Sequence, residues 1–153
     1  MASVMQRWIA IILLALGLLA GVVAWLLGAP GASGLPYRVV EGWPTLARHQ
    51  RLGQATGIGL NSRHELIVFH RADRTWTDPF PTDPIKCNTI VVFDAATGRL
   101  LSTWGAGRFI MPHGLTVDTR DNIWVTDVGL HQVFKFSRDG RLLLTVGEPR
   151  IAG

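Results

Sequence analysis

Between Pro112 and Phe136 the chain reads PHGLTVDTRDNIWVTDVGLHQVFKF, and apolar side chains return at close to every second position. Leu115 and Val117 alternate with polar neighbours. Asp118 to Asn122 then break the pattern, Ile123, Trp124 and Val125 resume it, and Val133, Phe134 and Phe136 carry it on. A period near two, interrupted by polar turn residues at short intervals, predicts a meander of three β-strands and not a helix.

The same pattern occurs once before. Thr56 to Phe69 aligns with His113 to Thr126, so that Gly57 falls on Gly114, Ile58 on Leu115, Leu60 on Val117 and Asn61 on Asp118. Asn88 to Gly105 aligns with Gln132 to Gly147, and in both copies a glycine, Gly98 or Gly140, is followed by Arg-Leu-Leu. Glycine reaches positive φ without steric cost, as tight hairpin turns require. Each unit is roughly 40 residues with about four strands, the size of a propeller blade. The first carries an insertion rich in Asp and Pro, Ala72 to Cys87. Insertions in such repeats gather on one face and often serve function. The expected fold is therefore all-β: about two blades of a β-propeller over residues 42–153. A propeller closes with about 4 to 8 blades, so two suggest the N-terminal piece of a longer propeller.

The start of the chain has another pattern. Trp8 to Leu27 is an uncharged apolar run, long enough to span a bilayer, with a tryptophan near each end. A cleaved signal normally has a shorter apolar region, although Gly28 to Gly34 could serve as a cleavage zone. Arg7 before the run favours the N-terminus inside. The expectation is a cytoplasmic segment over 1–7, a membrane anchor over 8–27, a Gly/Pro/Ser linker over 28–41, and the blades on the extracytoplasmic side of the cell membrane.

The net charge is +4, with basic residues scattered along the blades. No basic run is interleaved with aromatics, which argues against nucleic-acid binding and leaves attraction to anionic lipid. Gly57-Ile58-Gly59 lacks the third glycine and the helix of a dinucleotide loop. Cys87 is the only cysteine, so neither an intrachain disulfide nor a thiolate zinc cluster can form. Ser62 and Ser102 have no histidine placed to suggest a hydrolase.

Two residues stand out as candidates for chemistry. His113 precedes an inner strand, where a propeller opens into its central channel. On position alone it reads first as a turn-capping histidine, second as one of several that converge on a metal. The matching residue in the first unit is Thr56. Arg71 follows directly on the apolar run Leu66 to Phe69. It could project into a channel and hold a carboxylate, or pair structurally with Asp73. His70 and Arg74 fit turn roles, His131 a structural one, and His49 and His64 exposed loops. Asp118 and Asp127 sit at strand ends, where capping is usual. Tyr37 lies in the linker, away from any site.

MPHGLTVDTRDNIWVTDVGLHQVFKF resembles the peptidyl-α-hydroxyglycine α-amidating lyase domain of peptidylglycine α-amidating monooxygenase, an NHL-repeat β-propeller. IVFHRADRTW is similar to the HRG-D-x-x-W segment of that lyase, with Ala72 in place of its glycine. The likeness runs over residues 42–153. It implies a six-bladed propeller with a zinc ion in its channel, and cleavage of peptidyl-α-hydroxyglycine to peptide amide and glyoxylate. By the same resemblance His113 is one of three zinc-ligand histidines and Arg71 an active-site arginine near the substrate. Ile58 and Leu115 offer backbone carbonyls to a structural calcium. The other zinc histidines, a catalytic tyrosine and a second arginine belong to later blades. The isolated chain is thus expected to be inactive, with a peptide-like or α-hydroxyamide substrate as its counterpart in a complete enzyme. The alternative is a non-catalytic, membrane-anchored propeller that binds a protein or other ligand.

Overall fold

The computed structural model describes residues 37–46 and 51–151. The expected anchor over 8–27, the segment 1–7, most of the linker and His49 lie outside the described residues. Among the described residues no helix is long and apolar enough to cross a membrane.

Among the described residues eight strands form two antiparallel four-stranded sheets, each a meander in chain order. The first sheet holds β1 (Ala55–Leu60), β2 (Glu65–His70), β3 (Ile90–Asp94) and β4 (Leu100–Trp104). The second holds β5 (Pro112–Val117), β6 (Ile123–Asp127), β7 (Gln132–Phe136) and β8 (Leu142–Val146). The repeat read from the sequence is thus a repeat of sheets, and the fold is propeller-like. The expected equivalences extend to the turns. Asn61 Oδ1 accepts from the backbone N–H groups of Arg63 and Glu65, both at 3.0 Å. Asp118 Oδ1 does the same for Arg120 and Asn122, both at 2.9 Å. Gly98 and Gly140 take φ of 70° and 81° at the two outer hairpins, where a side chain would be strained.

The sheets pack face to face through one apolar core. Ile67, Phe69, Ile90 and Val92 of the first meet Ile123, Val125, Phe134 and Phe136 of the second, with Phe109 from the connecting loop between them. Phe109 meets Phe69 and Phe134 edge-on, with centroids 4.9 and 5.6 Å apart. Such aromatic contacts contribute about 1 kcal/mol each beyond the area they bury. Gly57 and Gly59 set how closely β1 approaches β5: a Cβ on Gly57 would lie 2.5 Å from Leu115 N, and one on Gly59 2.7 Å from Val117 Cγ2. The Gly-x-Gly of this chain is therefore a packing device between sheets. On the far face of the first sheet, Val68, Val91 and Phe93 are covered by Leu46, Leu52, Leu66 and Leu100. Ile58, Leu60 and every residue of β8 remain exposed in the described chain.

A polar clasp joins the two inner turns. The carboxylate of Asp121 accepts from Ser62 N at 2.9 Å and from Ser62 Oγ at 2.6 Å. It fixes one end of β1 against β5. The opposite end carries the candidate site.

Candidate functional site

β1 and β5 begin with the same irregularity. The register of β1 against β2 shifts between Ala55 and Gly57, and that of β5 against β6 shifts between Pro112 and Gly114. Thr56 and His113 are the extra residues at two matching β-bulges. A bulge bends the strand and re-aims one side chain out of the pleat. At Thr56 the hydroxyl turns back to the Phe69 carbonyl at 3.2 Å. His113 is exposed, and its imidazole has no hydrogen-bond partner among the described residues.

Arg71 reaches the same place from the first sheet. It follows directly on His70, the last residue of β2, and its backbone N–H donates to the Gln54 carbonyl at 3.0 Å. Its Nε donates to the Pro112 carbonyl at 2.9 Å and its Nη1 to Gln54 Oε1 at 3.1 Å. The guanidinium carbon lies 5.3 Å from the centre of the Trp76 ring. Arg71 is therefore held by three groups and bonded to the residue next to His113. The alternative partner read from the sequence, Asp73, forms no ion pair with it. The guanidinium finds a buried-side carbonyl and an amide, while Asp73 points to solvent.

His70 ties the backbone just after Arg71 to the segment that leads into β1. The histidine is buried, and its Nδ1 accepts from Gly53 N at 3.3 Å and Ala72 N at 3.0 Å. An accepting Nδ1 leaves the proton on Nε2. Burial pushes the imidazole below its ordinary pKa, so the ring stays neutral. Its turn role matches the expectation from sequence. Ala72 follows with φ of 51°, in the left-handed region, and a side chain on Gly53 would run into the Ala72 carbonyl. The glycine that Ala72 replaces in the resemblance has a physical reason here: the backbone needs positive φ.

The insertion folds back across both sheets. Arg74 N donates to the Arg71 carbonyl at 2.8 Å, its expected turn role, and its guanidinium reaches further to grip Asp83 with two parallel bonds of 3.1 Å. Ile85 N donates to the Phe109 carbonyl at 2.7 Å and Arg150 Nη2 to the Thr82 carbonyl at 2.7 Å. Trp76, whose ring lies against Arg71, meets Phe80 at a tilt of 57°, with centroids 5.1 Å apart.

The loop before β5 is held from beneath. Asp127, at the end of β6, is 2% exposed. Its carboxylate accepts from Ile110 N at 2.8 Å, from Met111 N at 2.9 Å and from Leu130 N at 2.9 Å. Burial raises its pKa while these N–H groups pull it down. The sequence reading gave Asp127 a local cap. It does cap Leu130, but its longer reach to Ile110 and Met111 was not visible. Asp118 remains a cap, accepting also from Trp124 Nε1 at 3.0 Å and pairing with Lys135 at 3.2 Å. His131 lies exposed in the turn between β6 and β7, with φ of 56°. His64 is an exposed turn residue as expected, with φ of 58°.

For metals, the described residues supply separate pieces. No group of three or more His, Cys, Asp or Glu among them could hold an ion, so His113 by itself is not a zinc site. The carbonyls of Ile58 and Leu115 have a defined direction. Asn61 N donates to Glu65 O and Asp118 N to Asn122 O, which makes these hydrogen-bonded pairs. Counting back along each ladder, Ile58 opposite Val68 and Leu115 opposite Val125 fall at non-bonded pairs. In an antiparallel ladder such residues turn N–H and C=O away from their partner strand. Both carbonyls thus face the open edges of the two inner strands.

Residues 109–136, the loop before β5 through β7, match the NHL repeat. The chain is 42% identical over 130 residues to peptidyl-alpha-hydroxyglycine alpha-amidating lyase 2 of Drosophila melanogaster, covering 78% of this chain and 32% of the relative. It is 38% identical over 125 residues to lyase 1 of the same organism, covering 73% of this chain and 23% of the relative. It is 41% identical over 105 residues to the peptidylglycine alpha-amidating monooxygenase of Rattus norvegicus, covering 60% and 11%. The resemblance read from the two polar signatures is borne out. The chain spans about a third or less of the length of these relatives.

Proposed function

We propose that this chain contributes two blades, and one side of the active site, to a propeller lyase. That enzyme would cleave peptidyl-α-hydroxyglycine into a peptide amide and glyoxylate. The observation that carries this reading is the bond from Arg71 to the Pro112 carbonyl, which gathers the candidate arginine and His113 at one mouth between the sheets. The similarity to lyases of that specificity supports it.

In this reaction the substrate hydroxyl loses its proton and its oxygen becomes the aldehyde oxygen of glyoxylate. The bond from the α-carbon to the amide nitrogen breaks, and that nitrogen takes up a proton. Arg71 would bind the terminal carboxylate of the substrate. Its guanidinium is already immobilised by Gln54 and Pro112, so little side-chain entropy remains to be lost on binding. Trp76 and Phe80 would cover the arginine and exclude water from that contact. His113, re-aimed by its bulge, would be one imidazole ligand of a zinc ion completed by other blades. Such an ion would stabilise charge on the substrate hydroxyl oxygen. Ile58 and Leu115, with carbonyls directed to the inner edges, would contribute to a calcium site on the propeller axis. The apolar run over 8–27 would tether the blades to the outer face of the cell membrane, in contact with its lipids.

The test uses a chimera in which the matching segment of the Drosophila lyase 2 is replaced by residues 42–153 of this chain. The chimera should release glyoxylate from an α-hydroxyglycine peptide, and His113→Ala in it should abolish release. The isolated chain should release none. A folded but inactive chimera would overturn the proposal.

A further inference from the structure

Pro112 has no N–H, and the two residues before it end a buried loop whose own N–H groups point into the protein. Ile110 is 1% exposed and Met111 is fully buried, so neither donor can reach water. A buried donor without an acceptor is costly, and the chain must supply one. It supplies one carboxylate. Asp127 lies directly across the ladder from Pro112 and takes both donors, with Leu130 N on the same group. No cation accompanies it among the described residues. The negative charge is met by backbone dipoles alone, which orients it tightly. The Met111 carbonyl in turn accepts from Val128 N at 3.0 Å, so loop and turn are joined in both directions.

From this geometry we infer that Asp127 is a positioning residue: it sets the backbone of the loop that presents His113 and the carbonyl that holds Arg71. This rests on the reading of those two residues as the active-site pair. The carboxylate's bonds fall one and two residues before Pro112, whose carbonyl accepts from Arg71 Nε. Loosening the loop therefore moves an acceptor and a candidate ligand together. A local cap would hold only Leu130 and leave Arg71 unaffected.

Amide and side-chain hydrogen exchange, followed by NMR on the full 153-residue chain in a membrane mimetic, separates the two roles without turnover. In the unmodified chain the Ile110 and Met111 amides should exchange as slowly as the ladder amides of β6. Exchange at open-loop rates would overturn the inference with no mutant needed. In Asp127→Asn one acceptor oxygen is replaced by a donor that faces other donors. The Arg71 Nε–H should then exchange roughly tenfold faster and the His113 ring signals should shift. Ser62 N, at the far clasp, should keep its protection. Unchanged Arg71 and His113 signals would sink the inference, as would equal loss of protection at Ser62. As a control, Phe134→Leu should lower overall stability but leave the Arg71 Nε–H slow. Because no step of this experiment measures glyoxylate, an inactive chimera and a failed positioning role remain distinguishable.

Discussion

Arg71 Nε donates to the carbonyl of Pro112 across 2.9 Å, tying the end of the first sheet's second strand to the first residue of the next sheet. The bond spans 41 positions of sequence and uses Nε, while Nη1 of the same planar guanidinium holds Gln54. A lysine ammonium is a point charge on a flexible stem and cannot hold Pro112 and Gln54 in one plane. Arg71→Lys should lower stability by about 1 kcal/mol, read from urea denaturation. In the chimera it should reduce kcat/KM by about 100-fold, since small misplacements of a binding group cost that much. An unaltered kcat/KM would remove Arg71 from the site.

Ala72 lies in the left-handed region with φ of 51°. A β-carbon there costs about 1–2 kcal/mol. Ala72→Gly relieves that strain but also frees the unfolded chain, which offsets part of the gain. The expected net is a stabilisation of about 0.5–1 kcal/mol, checked by thermal or urea melting. A loss of stability would mean that the backbone at this position does not hold the observed conformation.

His70 gives the protein a pH-dependent term of known sign. Its folded pKa lies below the ordinary value of 6.5, because burial disfavours the charged ring. A depressed histidine pKa means that the unfolded chain takes up the proton first. The contribution of His70 is therefore fully present above 6.5 and is lost as pH falls through the lower folded value. His70→Ala leaves Gly53 N and Ala72 N without their acceptor and should cost about 2 kcal/mol near neutral pH. The stability difference between the two proteins, measured by urea melts, should shrink on acidification. A difference that grows toward acid pH would reverse the assigned sign.

The sequence was most informative where side chains act near their own position. Alternation in 112–136 and the glycines at 98 and 140 marked strands and turns, because both depend on local backbone geometry. The two polar signatures marked Arg71 and His113. What linked them was not legible. Gln54 and the Pro112 carbonyl carry no sequence signal, since a carbonyl is common to every residue. Asp127 looked like a cap because its nearest partner, Leu130, is local. Its other partners lie 16 and 17 positions upstream and meet it only when β5 and β6 pair. The pair Gly57 and Gly59 was visible as a motif without a use, because its partners Leu115 and Val117 belong to the other sheet.

That last contact yields the sharpest test of the inter-sheet packing. Gly57 approaches the backbone of β5 so closely that an added Cβ would lie 2.5 Å from Leu115 N and 2.7 Å from Leu115 Cβ. Backbone cannot rotate aside as a long side chain can, so the two sheets must separate locally. Gly114 occupies the matching place in the second sheet, and there a Cβ would meet only Thr126 Oγ1 at 3.1 Å. Gly57→Ala should therefore destabilise by about 2–3 kcal/mol, the usual cost of overpacking a tight core. Gly114→Ala, at the equivalent position, should cost well under half as much, since one hydroxyl can shift by a rotamer. Urea denaturation of the two variants side by side checks the ordering. Equal losses would mean that β1 and β5 are not pressed together as described, and the mouth formed by Arg71 and His113 would lose its support.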